Sequence, residues 1–310
     1  MYHHLTQDQR VALAALLRAG HSQRKAAQEL GVNQSSLSRE LVRNPRHDGS
    51  YHASHAVFLA KERRKTSKIL YRKIENNPIL AQRIEACLHP LASPETIAHE
   101  EDVCAETIYE WIYRSRPDLK EKLPQRGKKR RRYGSKREVK QGWTKDVRSI
   151  NMRPVPAEHR SQVGHFEGDT VRGVNGALLT LTDRKSRYEV AFKIPNEGCN
   201  PIHSALVSHA DITKARSFTF DRGSGFALWC MIGRDTGAKV YFADAHAPWQ
   251  RASNENANGR LRRVFPKRSD FGTITQGDVD AVVRIMNHTK RKCLNWRTPC
   301  EVFGRCCASD

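Results

Sequence analysis

The sequence is short of acidic residues, of long apolar runs and of paired cysteines. Its 310 residues hold 33 Asp and Glu against 54 Lys and Arg, a formal net charge of +21. That excess is too large for solubility alone and calls for a polyanionic partner, nucleic acid first among them. No apolar stretch nears the ~18 residues of a membrane span. The polar opening, Met1 to Arg10, lacks the apolar core of a secretion signal, so the chain is expected in the cytoplasm. The eight cysteines (Cys87, Cys104, Cys199, Cys230, Cys293, Cys300, Cys306 and Cys307) never form a CxxC pair and read as reduced thiols. A zinc site from Cys300, Cys306, Cys307 and His288 would have a spacing that fits no standard pattern.

What is present begins with short helices. Thr6 and Gln9 have capping-box spacing, and Leu13, Leu16 and Leu17 follow at helical intervals. Gly20 ends that helix. Ser22 caps a second helix carrying Ala26, Ala27 and Leu30; Gly31 and Val32 turn the chain; Asn33 caps a third with Leu37 and Leu41. This is a helix-turn-helix pattern, in which small Ala27 lets the helices approach and Leu37 anchors the second. Gln34, Ser35, Ser38 and Arg39 point outward and are of the kind that read base edges or grip phosphate. The plainer alternative is a three-helix bundle with a solvated polar face.

Residues 49–119 read as further helices, among them one opening at Asn77-Pro78 and one at Ser93-Pro94. Ala105 to Tyr113, with Ile108, Trp111 and Ile112, reads as the recognition helix of a second helix-turn-helix that lacks the turn glycine. Trp111 suits a core better than a stacking surface. From Lys120 to Arg148 there are 13 Lys or Arg against three acids, centred on Lys128, Lys129, Arg130, Arg131 and Arg132. So few apolar residues build no core, and the segment is expected to be a linker that tracks phosphates.

From about Gln162 the pattern becomes α/β. Val163 to Val171, Gly176 to Asp183 and Tyr188 to Ile194 read as a three-stranded meander. A helix over Pro201–Ala210, a strand Ser217–Asp221, a helix near Phe226–Gly233, a strand Lys239–Phe242 and a long helix from near Asn254 follow. Helices at Thr275 and at Thr298-Pro299 close the chain. The expected architecture is multidomain, α followed by α/β: a helix-turn-helix domain (1–48), a helical region with a second such unit (49–119), a basic linker (120–160), a mixed five-stranded sheet with flanking helices (161–270) and a helical tail (271–310).

Three carboxylates carry the chemistry. Asp169 lies late in the first strand, Asp221 ends the fourth, and Glu255 opens the long helix after 33 intervening residues. In a mixed sheet of this order the first and fourth strands are neighbours, and a helix beside them brings in the third carboxylate. Converging carboxylates repel unless hard cations sit between them, and Mg²⁺ takes such oxygen donors. Two ions about 4 Å apart suit in-line attack at phosphorus. Nearby residues have weaker claims. Glu167 shares a strand face with Asp169; it assists at the metal site or, as is expected, pairs with Arg172 or Lys185. Asp183 reads as a solvated turn residue. Asn258, one turn past Glu255, contacts DNA or merely adds polarity. Trp249 and Arg251, in the loop entering the helix, grip a flipped or distorted DNA end, or Trp249 closes the core.

These segments together resemble the DDE transposases of the insertion-sequence-30 family. The resemblance rests on residues 4–41, SPETIA from Ser93, ETIYEWIY from Glu106, GHFEGDTV from Gly164, LTDRKSRY from Leu181, FTFDRGSGFA from Phe218, ADAHAPWQRASNENANGRLRRVFPK from Ala243 and RKCLNWRTPCEVF from Arg291. It implies an RNase H-like catalytic domain, a catalytic triad of Asp169, Asp221 and Glu255, and two Mg²⁺ ions, with Mn²⁺ able to substitute. It also implies a protein at the bacterial nucleoid that binds the terminal inverted repeats of a mobile element and target DNA as a homodimer or larger assembly. The chain departs from the family pattern at Arg222, Gly225, Ala252, Arg260 and Asn287–Lys290. Those departures motivate the alternative reading, a decayed copy acting only as a DNA-binding protein or repressor. A nuclease without joining activity is a third.

Overall fold

The computed structural model describes residues 4–67, 69–126, 147–209, 214–245 and 247–304. The chain forms two compact units that divide between Pro78 and Ile79. Lys128–Arg132 of the expected linker, and Cys306 and Cys307 of the weighed zinc set, lie outside the described residues. No helix among the described residues is long and apolar enough to cross a membrane.

The first unit is helical: α1 (Gln7–Arg18), α2 (Gln23–Glu29), α3 (Gln34–Arg43) and α4 (Ala53–Thr66). The starts are those the local chemistry dictates. Thr6 and Gln9 close a capping box, and the side chains of Ser22 and Asn33 accept the orphan N–H groups of α2 and α3. Between α2 and α3 the chain turns at Gly31, whose φ of +63° suits glycine. Leu13, Ala26, Ala27 and Leu37 are buried together under Leu16, Leu17, Leu30 and Leu41. Beneath them Arg10 pairs with Glu40 at 2.6 Å, and Tyr51 donates its hydroxyl to the same carboxylate. Gln34, Ser35, Ser38 and Arg39 are all exposed, on the side of α3 away from Leu37.

The second unit opens with α5 (Pro78–Cys87), α6 (Pro94–Glu100) and α7 (Ala105–Ser115). Trp111 is 4% exposed and sits with buried Ile108 and Ile112, so it belongs to the core. After a short α8 (Val155–Glu158) come β1 (His165–Arg172), β2 (Ala177–Asp183), β3 (Glu189–Ile194), α9 (Cys199–Ser208), β4 (Ser217–Phe220), α10 (Trp229–Thr236) and β5 (Lys239–Phe242). A 3₁₀ turn, Pro248–Arg251, leads into α11 (Ala252–Val264); α12 (Gln276–His288) and α13 (Pro299–Phe303) follow, both starting in capping boxes.

The strands form one sheet in the order β3-β2-β1-β4-β5. β1, β2 and β3 are antiparallel neighbours, whereas β1, β4 and β5 run parallel. Both faces are covered, with an apolar cluster on each. One holds Phe166, Phe218 and Phe220 with Ile202 and Ile232; the other holds Val171, Leu178 and Ala191 with Ala257, Leu261 and Val283. The side-chain alternation of β1 sends Phe166 into the first cluster and Glu167, Asp169 and Val171 toward α11. Gly168 has no room for a side chain, since an added Cβ would lie 2.4 Å from the Phe220 ring. Asp183 corrects the expectation of a solvated turn residue. It is fully buried and accepts from the Gly164 amide and from the amide and hydroxyl of Ser186, because it fastens the β2–β3 turn to the start of β1.

Candidate active site

Two adjacent strands and one helix build the site. Asp169 is the fifth residue of β1, and Asp221 follows the last residue of β4 directly. The strands pair in parallel from His165 opposite Ser217 to Glu167 opposite Thr219, so both aspartates leave the same end of the sheet. Each is partly open, with side chains 31% and 41% exposed. Burial pushes the Asp169 carboxyl above its ordinary pKa; the Arg251 guanidinium pulls it down, and the nearby charge of Asp221 pushes it up again. Arg251 faces both: its guanidinium lies 3.7 Å from Asp169 and 3.4 Å from Asp221, and it also donates to the Gly168 carbonyl. A cation therefore already sits against this carboxylate pair.

Helix α11 is held to β1 by matched spacing. Four helical residues advance about 6 Å and two strand residues about 6.7 Å. Asn254 and Asn258 thus stand opposite Glu167 and Asp169. The Asn254 amide donates to Glu167 Oε2, and its side chain donates to the carbonyls of Glu167 and Thr180. Asn258 donates to Asp169 Oδ2 and to Asn254 Oδ1, and accepts from the Thr180 hydroxyl. Asn258 is thus a clamp on Asp169 rather than an idle polar group, a role that its position one turn past Glu255 did not disclose.

Glu167 corrects a second expectation. It is completely buried and pairs with Arg184, not with Arg172 or Lys185. Arg172 is 82% exposed and faces Glu197 at 3.8 Å. Arg184 is the partner because the tight turn after β2 folds it back over β1, where Ala157 also accepts its Nε–H. Glu167 consequently fixes α11 through Asn254 and is committed to structure.

Glu255 is exposed, one turn after Arg251 and one turn before Asn258, on the helix stripe that these two turn toward the aspartates. Among the described residues no three His, Cys, Asp or Glu side chains lie close enough together to hold a metal ion. Asp169 and Asp221 come together around Arg251; Glu255 is placed only by its position on α11 between Arg251 and Asn258. Trp249 is 70% exposed, so it does not close the core.

A second perturbed carboxyl lies on the same sheet. Glu189 is buried at the start of β3, where it accepts from the Thr182 hydroxyl and faces Arg291. Burial pushes its carboxyl up to about 8, against the pull of Arg291. The folded protein keeps this proton up to about pH 8, while the unfolded chain releases it from the ordinary 4.5. The stability that Glu189 contributes is therefore complete below pH 4.5 and is lost as pH rises toward 8. Each pH unit in that window is worth at most about 1.4 kcal/mol. Glu189→Gln stays neutral and removes the slope. In urea unfolding, the variant gains on the wild type steadily across this range; parallel stability curves would contradict it.

Comparison with known proteins places this geometry. A helix-turn-helix domain model matches residues 1–44. Over 326 residues the chain is 32% identical to transposase InsI for insertion sequence element IS30C of Escherichia coli strain K12, an alignment covering 97% of this chain and 84% of the relative. The chain belongs to the insertion-sequence-30 family of transposases. Two further members are similar to it: the transposase for element IS1086 of Cupriavidus metallidurans, 30% identical over 99% of this chain and 96% of its own length, and that for element IS4351 of Bacteroides fragilis, 31% identical over 98% and 96%. This family member is thus a DNA-processing enzyme with an N-terminal DNA-binding domain.

Three of its departures from the family pattern have structural reasons. A Cβ at Gly225 would lie 2.7 Å from both the Glu197 carbonyl and Ile202, so a side chain there has no room. Arg260 is buried and ties α11 to the Leu91 carbonyl. Asn287 bonds both backbone groups of Glu189, fastening α12 to β3. Arg222 donates to the Ala243 carbonyl and faces the Asp244 carboxylate at 3.9 Å. Nothing in the structure explains the choice of Ala252.

Proposed function

We propose that the protein cuts the ends of its own insertion sequence and joins them to new DNA, using a DDE-type magnesium site in an RNase H-like domain. The observation that carries this reading is the pair Asp169 and Asp221, on adjacent parallel strands and partly exposed, with Arg251 set against both. The strand order and the mixed sheet agree with the RNase H-like assignment.

The donor set fits Mg²⁺: two hard oxygen donors, open to water and phosphate, that need positive charge to coexist. Asp169 and Asp221 would hold one ion, and Glu255, on the stripe between Arg251 and Asn258, would complete the ligands for the pair. Magnesium bound there supplies an activated hydroxyl and neutralises charge developing on the phosphate. The chain's own residues do the rest. Asn258 orients Asp169, Glu167 and Asn254 set the height of α11, and Arg251 holds the carboxylates together before DNA arrives. Gln34, Ser35, Ser38 and Arg39 on α3 read the terminal repeats, and Lys128–Arg132 contributes salt-dependent affinity for phosphates. Two DNA ends need two sites, which calls for a dimer or larger assembly.

The test uses a labelled duplex bearing the element's end and a supercoiled plasmid target, with Mg²⁺ or Mn²⁺. Nicked ends and strand-joined plasmid are expected. Tight end binding with no nick under either metal would establish the decayed repressor instead, and nicks without joined product would make the protein a nuclease.

A further inference from the structure

The second unit contains a cavity of about 600 Å³ that the reaction described above does not use. Its lining includes Arg153, Arg160, Arg184 and Glu158, with Trp249 and Gln250 from the turn that enters α11. Arg184 is already neutralised by Glu167. Arg153 is not fully served. Its side chain is only 4% exposed, yet Nε and Nη1 have no hydrogen-bond partner, and Nη2 alone reaches Glu158. Burial and the neighbouring Arg184 weaken its hold on its proton. A buried guanidinium with two idle donors is expensive unless an acceptor arrives. A phosphate offers the two oxygens that its planar fork matches.

Trp249 supplies the other half of the recognition. It is 70% exposed, a large apolar surface left in water within two residues of Arg251, which touches both aspartates. The cavity is of a size that suits a small ligand and too small for a duplex. An exposed indole and a buried arginine lining one cavity are what one unpaired nucleotide requires: a stacking plane and a phosphate clamp.

We propose that this cavity takes one unpaired nucleotide of the DNA being processed, its base on Trp249 and its phosphate on Arg153 and Arg160. The proposal rests on the reading of the protein as an enzyme acting on DNA, and it adds a second anchoring point.

The experiment measures fluorescence anisotropy of the full chain in EDTA, where no cleavage occurs. Three short duplexes serve as probes: one blunt, one with a single unpaired thymidine at its end, and one with an abasic residue there. The wild type should bind the thymidine probe about tenfold tighter than the abasic one, since one stacked base is worth that much. Trp249→Ala should abolish the difference, and the exposed position makes misfolding no explanation. Arg153→Gln should weaken both tailed probes about tenfold relative to wild type while the blunt duplex binds as before. Equal affinity of wild type for the thymidine and abasic probes, or a preference unchanged in both variants, would overturn the proposal. So would displacement of the tailed probe by micromolar free thymidine monophosphate, which would assign the cavity to a soluble nucleotide. Preference for the unpaired base combined with absent strand cleavage would sink the enzymatic reading and spare the pocket; the reverse would remove only the pocket.

Discussion

Replacing Asp169 or Asp221 by Asn lowers strand cleavage in Mg²⁺ about a thousandfold, about 4 kcal/mol of transition-state stabilisation, and leaves binding of the same DNA unchanged. The two effects separate because the parts are separate. The carboxylates lie in the second unit, and the helix-turn-helix occupies residues 1–44 of the first. Asn keeps the shape of Asp, so its amide oxygen still accepts the Gly223 N–H that Asp221 Oδ1 accepts at 3.1 Å. What disappears is negative charge, and with it the affinity for a divalent ion. Glu255→Gln should match them although it is exposed and unpaired with either aspartate. A gel of cleaved end-labelled duplex against time, beside a binding titration, reads both quantities. Cleavage within about threefold of wild type in Asp169→Asn would exclude this aspartate as a ligand.

Glu167→Ala destabilises the second unit by about 3–5 kcal/mol, because it leaves the buried Arg184 charge with only the exposed Glu158 carboxylate at 3.9 Å. The side chains are 0% and 5% exposed, so water cannot take over. The Asn254 amide loses its acceptor at the same time. For a unit of this size the loss corresponds to a fall of about 10 °C in melting temperature. The change also slackens the attachment of α11, which carries Glu255, so the residual folded protein should cleave poorly in proportion. Glu167→Gln keeps the shape and an acceptor for Asn254 and should cost less than the Ala variant. Scanning calorimetry on the full chain separates the transitions of the two units. A shift under about 2 °C in Glu167→Ala would mean that the pair is solvated.

Local chemistry made most of this fold legible. Helix starts at Thr6, Ser22, Asn33, Ser93, Thr275 and Thr298 were readable because an oxygen-bearing side chain there satisfies orphan N–H groups. The strands fell within a residue or two of their limits because alternation and turns mark them. The meeting of Asp169 and Asp221 followed from strand order alone. What stayed hidden was partner choice at long range. Glu167 sits 17 residues from Arg184 and 87 from Asn254, and no periodicity distinguishes Arg184 from Lys185 as the one that folds inward. Asp183 looked like any turn aspartate because its acceptor role depends on Gly164, 19 residues earlier. Asn254 and Asn258 carried a signal that was overlooked: two amides four apart on a helix, facing two acids two apart on a strand, have nearly equal rises.

Replacing Mg²⁺ by Fe²⁺, with ascorbate and peroxide added, generates short-lived radicals that cut the polypeptide only beside the bound ion. Mapping the fragments of the full-length protein on end DNA asks directly whether three distant segments share one metal site. Cuts clustered at residues 169, 221 and 255, all suppressed by excess Mg²⁺, are the expected result. Fragments at 169 and 221 with none near 255, or cuts that excess Mg²⁺ does not suppress, would contradict the three-carboxylate centre.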